Sequence, residues 1–288
     1  EQTRDRVPLN WAMTQNNLGN ALSVLGERER GSERLEEASE YTARGLAIRE
    51  EIGDIIGVAR SYNNLGLLGW KRGLWDEALE SFKRSAQYQT SLGDVEAIIQ
   101  LNGNLGLLEL DRGNTSEAFR YFDEALKQSE GIGLNLETAL NNQYFCRLYI
   151  ALEDWQKAMQ YGRKSEELFK NIGDEEFLVD VYMNLAAIHL GTGELAAAQE
   201  FAMYAQKCLL KVAGDEPTEE KGRILRLLGE IALTGADYNT AVGFFRQAEP
   251  IFASTNQLER ARLLVSLSRL ARALANVELV RSLRSMAR

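Results

Sequence analysis

A small residue returns along this chain at an almost fixed interval, and no other feature limits the fold as much. Gly19, Gly66, Gly106, Cys146, Ala186, Gly229 and Ser268 form one series; Ala38, Ala78, Ala118, Ala158, Ala198 and Ala241 form a second. The alanines step by 40, 40, 40, 40 and 43. The two series stand 12 residues apart in the second to sixth copies and 19 apart in the first, where seven further residues sit around "ERERGSER". Length alone would suggest about two domains. A register held over most of the 288 residues instead predicts one stacked array in which each copy packs on its neighbours.

Each copy reads as two helices. The first carries apolar and small residues at helical spacing, as in Tyr62, Leu65, Leu68 and Gly69. A turn is expected at Gly73, Gly113, Gly193 and Gly235, and the second helix stops at Gly53-Asp54, Gly93-Asp94, Gly173-Asp174 or Gly214-Asp215. Glycine there suits a left-handed helix cap, and the aspartate can cap the helix that follows. The small residues let the two helices of a pair approach closely. The fold predicted is all-α, a single domain over 1–288, with copies near 10–53, 54–93, 94–133, 134–173, 174–215 and 216–256 and a capping segment at 257–288.

The spacing Tyr62-x-x-Leu65-Gly66 … Ala78-x-x-x-Phe82 resembles the tetratricopeptide (TPR) motif, and Ala118-x-x-x-Phe122 and Ala241-x-x-x-Phe245 repeat it. Trp75, Trp155 and Tyr238 fall three residues before their alanines, where that family often has an aromatic. The period of 40 departs from the family's ~34, and a longer second helix ending in Gly-Asp replaces the usual closing proline. This longer variety is similar to the repeats of spindle-orientation adaptors and of sensor regions in bacterial signalling ATPases and transcription activators. The resemblance implies a right-handed superhelical solenoid of antiparallel helix pairs, six to seven repeats long. It also implies that a protein or an extended peptide binds along a concave groove lined by the first helices.

The groove stripe in the second copy would be Arg60, Asn63, Asn64, Leu67 and Lys71. Asn17, Asn104 and Asn184 are the equivalents of Asn64, with Tyr144, Leu227 and Ser266 breaking the series. Asparagine is a poor helix former, so four of them at one repeat position ask for a reason. In the family an asparagine here often bonds the main chain of an extended ligand, a task that suits an amide because it donates and accepts. The plainer reading is that these amides are solvated or bond a neighbouring repeat. Gln100 belongs to the same candidate stripe. Its charges are Arg60, Lys71, Arg147, Arg223 and Arg226 against Asp111, Asp180 and Glu230, five minus three or +2, while the whole chain carries −9. A basic groove in an acidic protein would favour an acidic peptide. Trp70 could anchor an apolar side chain of the ligand or pack against the next repeat.

Other functions find little support. A net charge of −9 argues against nucleic acid as the main partner. No apolar run is long enough to cross a membrane. The first residues, "EQTRDRVPLN", lack a signal core and an initiator methionine, so a piece of a larger protein is expected. Cys146 and Cys208 stand 62 residues apart without metal-ligand spacing, which suits a reducing cytoplasm. His189, the lone histidine, falls on a packing position; "GTGELAAA" at 191–198 is a repeat turn and not a phosphate loop. Glu36-Glu37, Glu166-Glu167 and Glu175-Glu176 read as solvated helix faces. No catalytic centre, metal or cofactor is expected. The basic end, where Arg281, Arg284 and Arg288 share a helix side, reads as a cap, and the insert in the first copy as an edge extension. A spacer or self-associating array within a signalling protein is the competing function; groove substitutions would leave it untouched.

Overall fold

The computed structural model describes residues 6–28, 33–252 and 257–286, and the side chains of these except 257 and 277–286. The insert residues 29–32 and Arg288 lie outside the described residues, as do the side chains of Arg281 and Arg284. Thirteen helices and no strands make up what is described. The helices fall into two compact units. Unit 1, Glu1–Asp174, holds α1 (Pro8–Arg28), α2 (Glu33–Ile52), α3 (Ile55–Lys71), α4 (Trp75–Leu92), α5 (Val95–Asp111), α6 (Thr115–Ile132), α7 (Asn135–Ala151) and α8 (Trp155–Ile172). Unit 2, Glu175–Arg288, holds α9 (Glu175–Gly191), α10 (Leu195–Ala213), α11 (Glu219–Thr234), α12 (Tyr238–Phe252) and α13 (Gln257–Met286).

In both units consecutive helices pair as hairpins, and each hairpin packs on the next. The alanines of the second series are fully buried where the two helices of a hairpin meet. The first series is small because of what stands opposite. A Cβ on Gly66, Gly106 or Gly229 would run into the ring of Phe82, Phe122 or Phe245, each four residues beyond its alanine. In the fourth and fifth repeats the first-series residue is Cys146 or Ala186, and the residue four beyond the alanine is Gly162 or Ala202. One side of the hairpin gives up volume where the other takes it, as close packing requires. Losing one of these phenylalanines to alanine would cost about 3–5 kcal/mol.

In the second to sixth repeats the turn inside the hairpin puts one residue, five before the alanine, at positive φ. Gly73, Gly113 and Gly193 take that place at φ 75°, 82° and 82°. Glu153 takes it at 56°, and Ala236 at 61°, each at a cost of about 1 kcal/mol. Gly235, the glycine expected at the turn, instead has an ordinary φ of −76°. Between hairpins, Gly53 and Gly93 close their helices in the left-handed conformation, and Asp54 and Asp94 accept from the backbone N–H of Gly57 and Ala97 at 3.0 and 3.1 Å. That scheme fails at Gly214-Asp215. There ψ is −147°, five residues separate α10 from α11 rather than two, and Thr218 caps α11 through Lys221 N–H at 3.3 Å. The three additional residues are the reason the alanine step lengthens from 40 to 43.

Candidate functional site

The mid-helix asparagines of unit 1 meet across repeats. Asn64 Nδ2 donates to Asn20 Oδ1 at 3.2 Å, and Asn104 Nδ2 donates to Asn63 Oδ1 at 3.3 Å. Each link joins the first helix of one repeat to that of the next, so α1, α3 and α5 are tied by side-chain amides. Gln100 continues the series by donating to Glu137 on α7 at 3.3 Å. At the fourth repeat the ring of Tyr144 replaces the amide. It packs 5.5 Å from Phe122 and fills the space that Gly103 leaves by having no Cβ.

These amides line a groove of about 510 Å³ together with Arg60, Ser85, Gln89, Asp94 and Glu96. Of the candidates read from sequence, Arg60, Asn63, Asn64, Gln100 and Asn104 share this groove. Arg60 is exposed and has no carboxylate at salt-bridge distance among the described residues. Asn16 and Asn20 were not foreseen, although Asn16 has the register of Asn63, three residues before the glycine. Ser85 and Gln89 come from the second helix α4, where the pattern carried no signal. Asp94 and Glu96 make the groove mixed in charge rather than basic.

The remaining candidates lie elsewhere. Asn17 is exposed on α1 and does not line the groove; its unit 1 equivalents Asn64 and Asn104 bond back to the preceding repeat, and α1 is the first helix described. Trp70 packs in the apolar cluster with Leu101, Leu105 and Leu108 of α5 and donates from Nε1 to Asp111 at 3.1 Å, so it joins repeats. Lys71 is exposed and donates to Ser23 Oγ at 3.4 Å. Arg147 is half-buried on α7. In unit 2, Asn184 is buried, with no partner for its Nδ2. Arg223 and Asp180 are paired at 2.9 Å; Arg226 is paired with Glu230 at 2.9 Å and with Glu259 at 3.3 Å. The positive charge counted on this stripe is therefore largely compensated in unit 2.

His189, Cys146 and Glu166, outside the groove, sit in structural surroundings. His189 stacks on Phe201 at 5.3 Å, with Nδ1 2.6 Å from Glu194. Burial pushes the Cys146 thiol up to about 12, which keeps it protonated and a poor nucleophile. Glu166 is buried at 7% exposure between Arg163 and Lys170, both at 2.7 Å, and is not the solvated residue expected. Among the described residues no cluster of His, Cys, Asp and Glu could hold a metal, and no helix is long and apolar enough to cross a membrane.

The family model for the tetratricopeptide repeat matches residues 57–131, the part of unit 1 that contains Arg60, Asn63, Asn64 and Asn104. No curated protein matches the sequence. Solved structures share the fold at low identity. A Rap protein complexed with Competence and Sporulation Factor is 12% identical, with a TM-score of 0.63, over 97% of this chain and 87% of that one. Aspartyl phosphate phosphatase F from Bacillus subtilis is 13% identical, with a TM-score of 0.67, over 87% and 61%. A signal transduction ATPase with a tetratricopeptide repeat sensor, from Pyrococcus horikoshii, is 20% identical, with a TM-score of 0.58, over 85% of this chain and 36% of that one. The present chain thus spans about a third of that last protein.

Proposed function

Residues 57–131 are tetratricopeptide repeats, and from that premise we propose that the groove of unit 1 holds an extended segment of a partner polypeptide, without catalysis. One observation carries the reading: seven side-chain amides, Asn16, Asn20, Asn63, Asn64, Gln89, Gln100 and Asn104, line one groove. Each amide offers two N–H donors and an acceptor, and the links between repeats use only one of these from each partner. A peptide unit presents one donor and one acceptor, so an extended main chain can be matched at successive repeats. Arg60 would take an acidic side chain at one ligand position, while Asp94 and Glu96 suit a basic group or a free N–H at another. The likeness to a Rap protein solved with a bound factor supports a binding role at the level of the fold.

Capture from source-cell lysate with wild type and the Asn63→Ala/Asn64→Ala/Asn104→Ala variant tests this. Circular dichroism checks that both are equally helical. A partner held by wild type and lost by the variant supports the groove. A partner held equally by both places recognition elsewhere, and self-association without a partner favours the spacer function.

A further inference from the structure

We infer that the cavity between α10 and α11 is a second docking site, which takes a large apolar side chain of a partner polypeptide with an acidic residue beside it. The cavity lies beside the long connection in unit 2, with Gly214 and Asp215 of that connection in its lining. Five residues, 214–218, join α10 to α11 where two join α4 to α5, and a space of about 320 Å³ opens between the helices. Its floor is the buried apolar trio Leu209, Ile224 and Leu225. Its mouth is formed by Met203 and Leu210, which stay 56% and 59% exposed.

Those two exposures run against the repeat. Met203 and Leu210 stand five and twelve residues past Ala198. The same two positions hold Lys83 and Thr90 on α4, Asp123 and Glu130 on α6, and Arg163 and Lys170 on α8. A face that is polar in three other second helices has turned apolar beside the cavity at the lengthened connection. Exposing two large apolar side chains seven residues apart on one helix face lowers solubility without stabilising the hairpin, so a covering partner accounts for them.

The charge at the rim selects the partner. Lys221 is bound by Asp215, whose carboxylate and carbonyl oxygens accept from Nζ at 2.7 and 2.8 Å. Lys207 lines the cavity and has no carboxylate at salt-bridge distance among the described residues. An acidic residue next to the inserted side chain would pair with it. At about 320 Å³ the space is at the lower end of the ~300–1,000 Å³ typical of small-molecule pockets. Because the apolar surface continues past the mouth onto Met203 and Leu210, a polypeptide covers it better than a compact ligand does.

The test is selection of random displayed 12-residue peptides on the wild-type chain, followed by titration of the enriched peptides into protein carrying ¹³C-methyl methionine. Wild type should enrich sequences that pair a large apolar residue with Asp or Glu. The Met203 methyl resonance should shift while that of Met13 stays in place. Affinity should fall at least tenfold in Leu210→Lys and in Lys207→Glu, both surface changes, and remain unchanged in Asn64→Ala/Asn104→Ala. Absence of an enriched consensus, a consensus without an acidic residue, or equal binding to Leu210→Lys overturns the inference. Binding lost in the asparagine variant assigns the peptides to the unit 1 groove and likewise overturns it. Self-association abolished by Leu210→Lys would make the occupant a second copy instead.

Discussion

Unit 1 and unit 2 make the same link between repeats with opposite chemistry. In unit 1, Asn64, two residues before its glycine, donates to Asn20, one residue after the preceding glycine, at 3.2 Å. In unit 2, Ser266 and Glu230 hold those same two positions, and the serine hydroxyl donates to the carboxylate at 2.7 Å. Glu230 also pairs with Arg226, which reaches Glu259, which meets Arg262. The charged chain pairs its charges internally, with Glu259 buried and Arg226 and Glu230 mostly covered. The amide chain is neutral, inexpensive to leave partly exposed, and keeps most of its bonding capacity unspent. Position in the repeat sets which residues meet; chemistry at that position sets whether they stay available to a ligand.

The charged network of unit 2 is most vulnerable at Glu259. Glu259→Ala should cost unit 2 about 3 kcal/mol, because it leaves guanidinium groups without their buried counter-charge. Hydrogen exchange should then rise in α11–α13 and stay unchanged in α1–α6. The triple change Asn63→Ala/Asn64→Ala/Asn104→Ala should cost unit 1 no more than about 1 kcal/mol of stability while weakening ligand binding at least tenfold, about 1.4 kcal/mol. Calorimetry on the variant separates the two effects.

Acid sharpens the contrast further. Burial pushes the Glu259 carboxyl up, but Arg226, Arg262 and Arg223 more than offset this, and its pKa lies below the ordinary 4.5. A depressed folded pKa means stability that is present above about 4.5 and is lost as pH falls through the lower folded value. Protection factors in α11–α13 should therefore fall in that acid window and hold steady above it. The smallest effect is expected from salt. The Arg223–Asp180 pair is partly exposed, so raising salt from about 0.1 to about 1 M should remove at most about 0.5 kcal/mol from unit 2. The amide links of unit 1 should show no change.

The hairpins and their spacing were legible because packing leaves a composition signature: Ala78 and Ala118 must be small wherever the chain came from, and Gly66 must be smaller still beneath Phe82. Gly235 lies in the turn of the sixth repeat as expected, but it does not carry that turn's positive φ. Gly235 drew attention as a glycine, but the backbone demand is fixed by distance from Ala241 and so falls on Ala236. Asp215 misled for a similar reason, since three additional residues carried the cap to Thr218. The candidate site was legible in part. Asn63, Asn64 and Asn104 recur at a register that the period exposes, whereas Gln89 reaches the groove from a second helix where no pattern marks it. Trp70 and Glu166 were ambiguous because sequence gives the face of a helix but not how far the neighbouring helix covers it.

The alternation of small and large across each hairpin has a consequence for how such a chain can change over time. Gly66 and Phe82, or Ala186 and Ala202, fit only as sets, so a first helix exchanged alone between repeats would bring bulk against bulk or hole against hole. A whole hairpin carries its own complement with it. Duplication or exchange would therefore cost less at boundaries such as Gly93-Asp94 than at Gly73 or Gly113. The helix pair is the unit that could move intact, because it carries its own compensating residues.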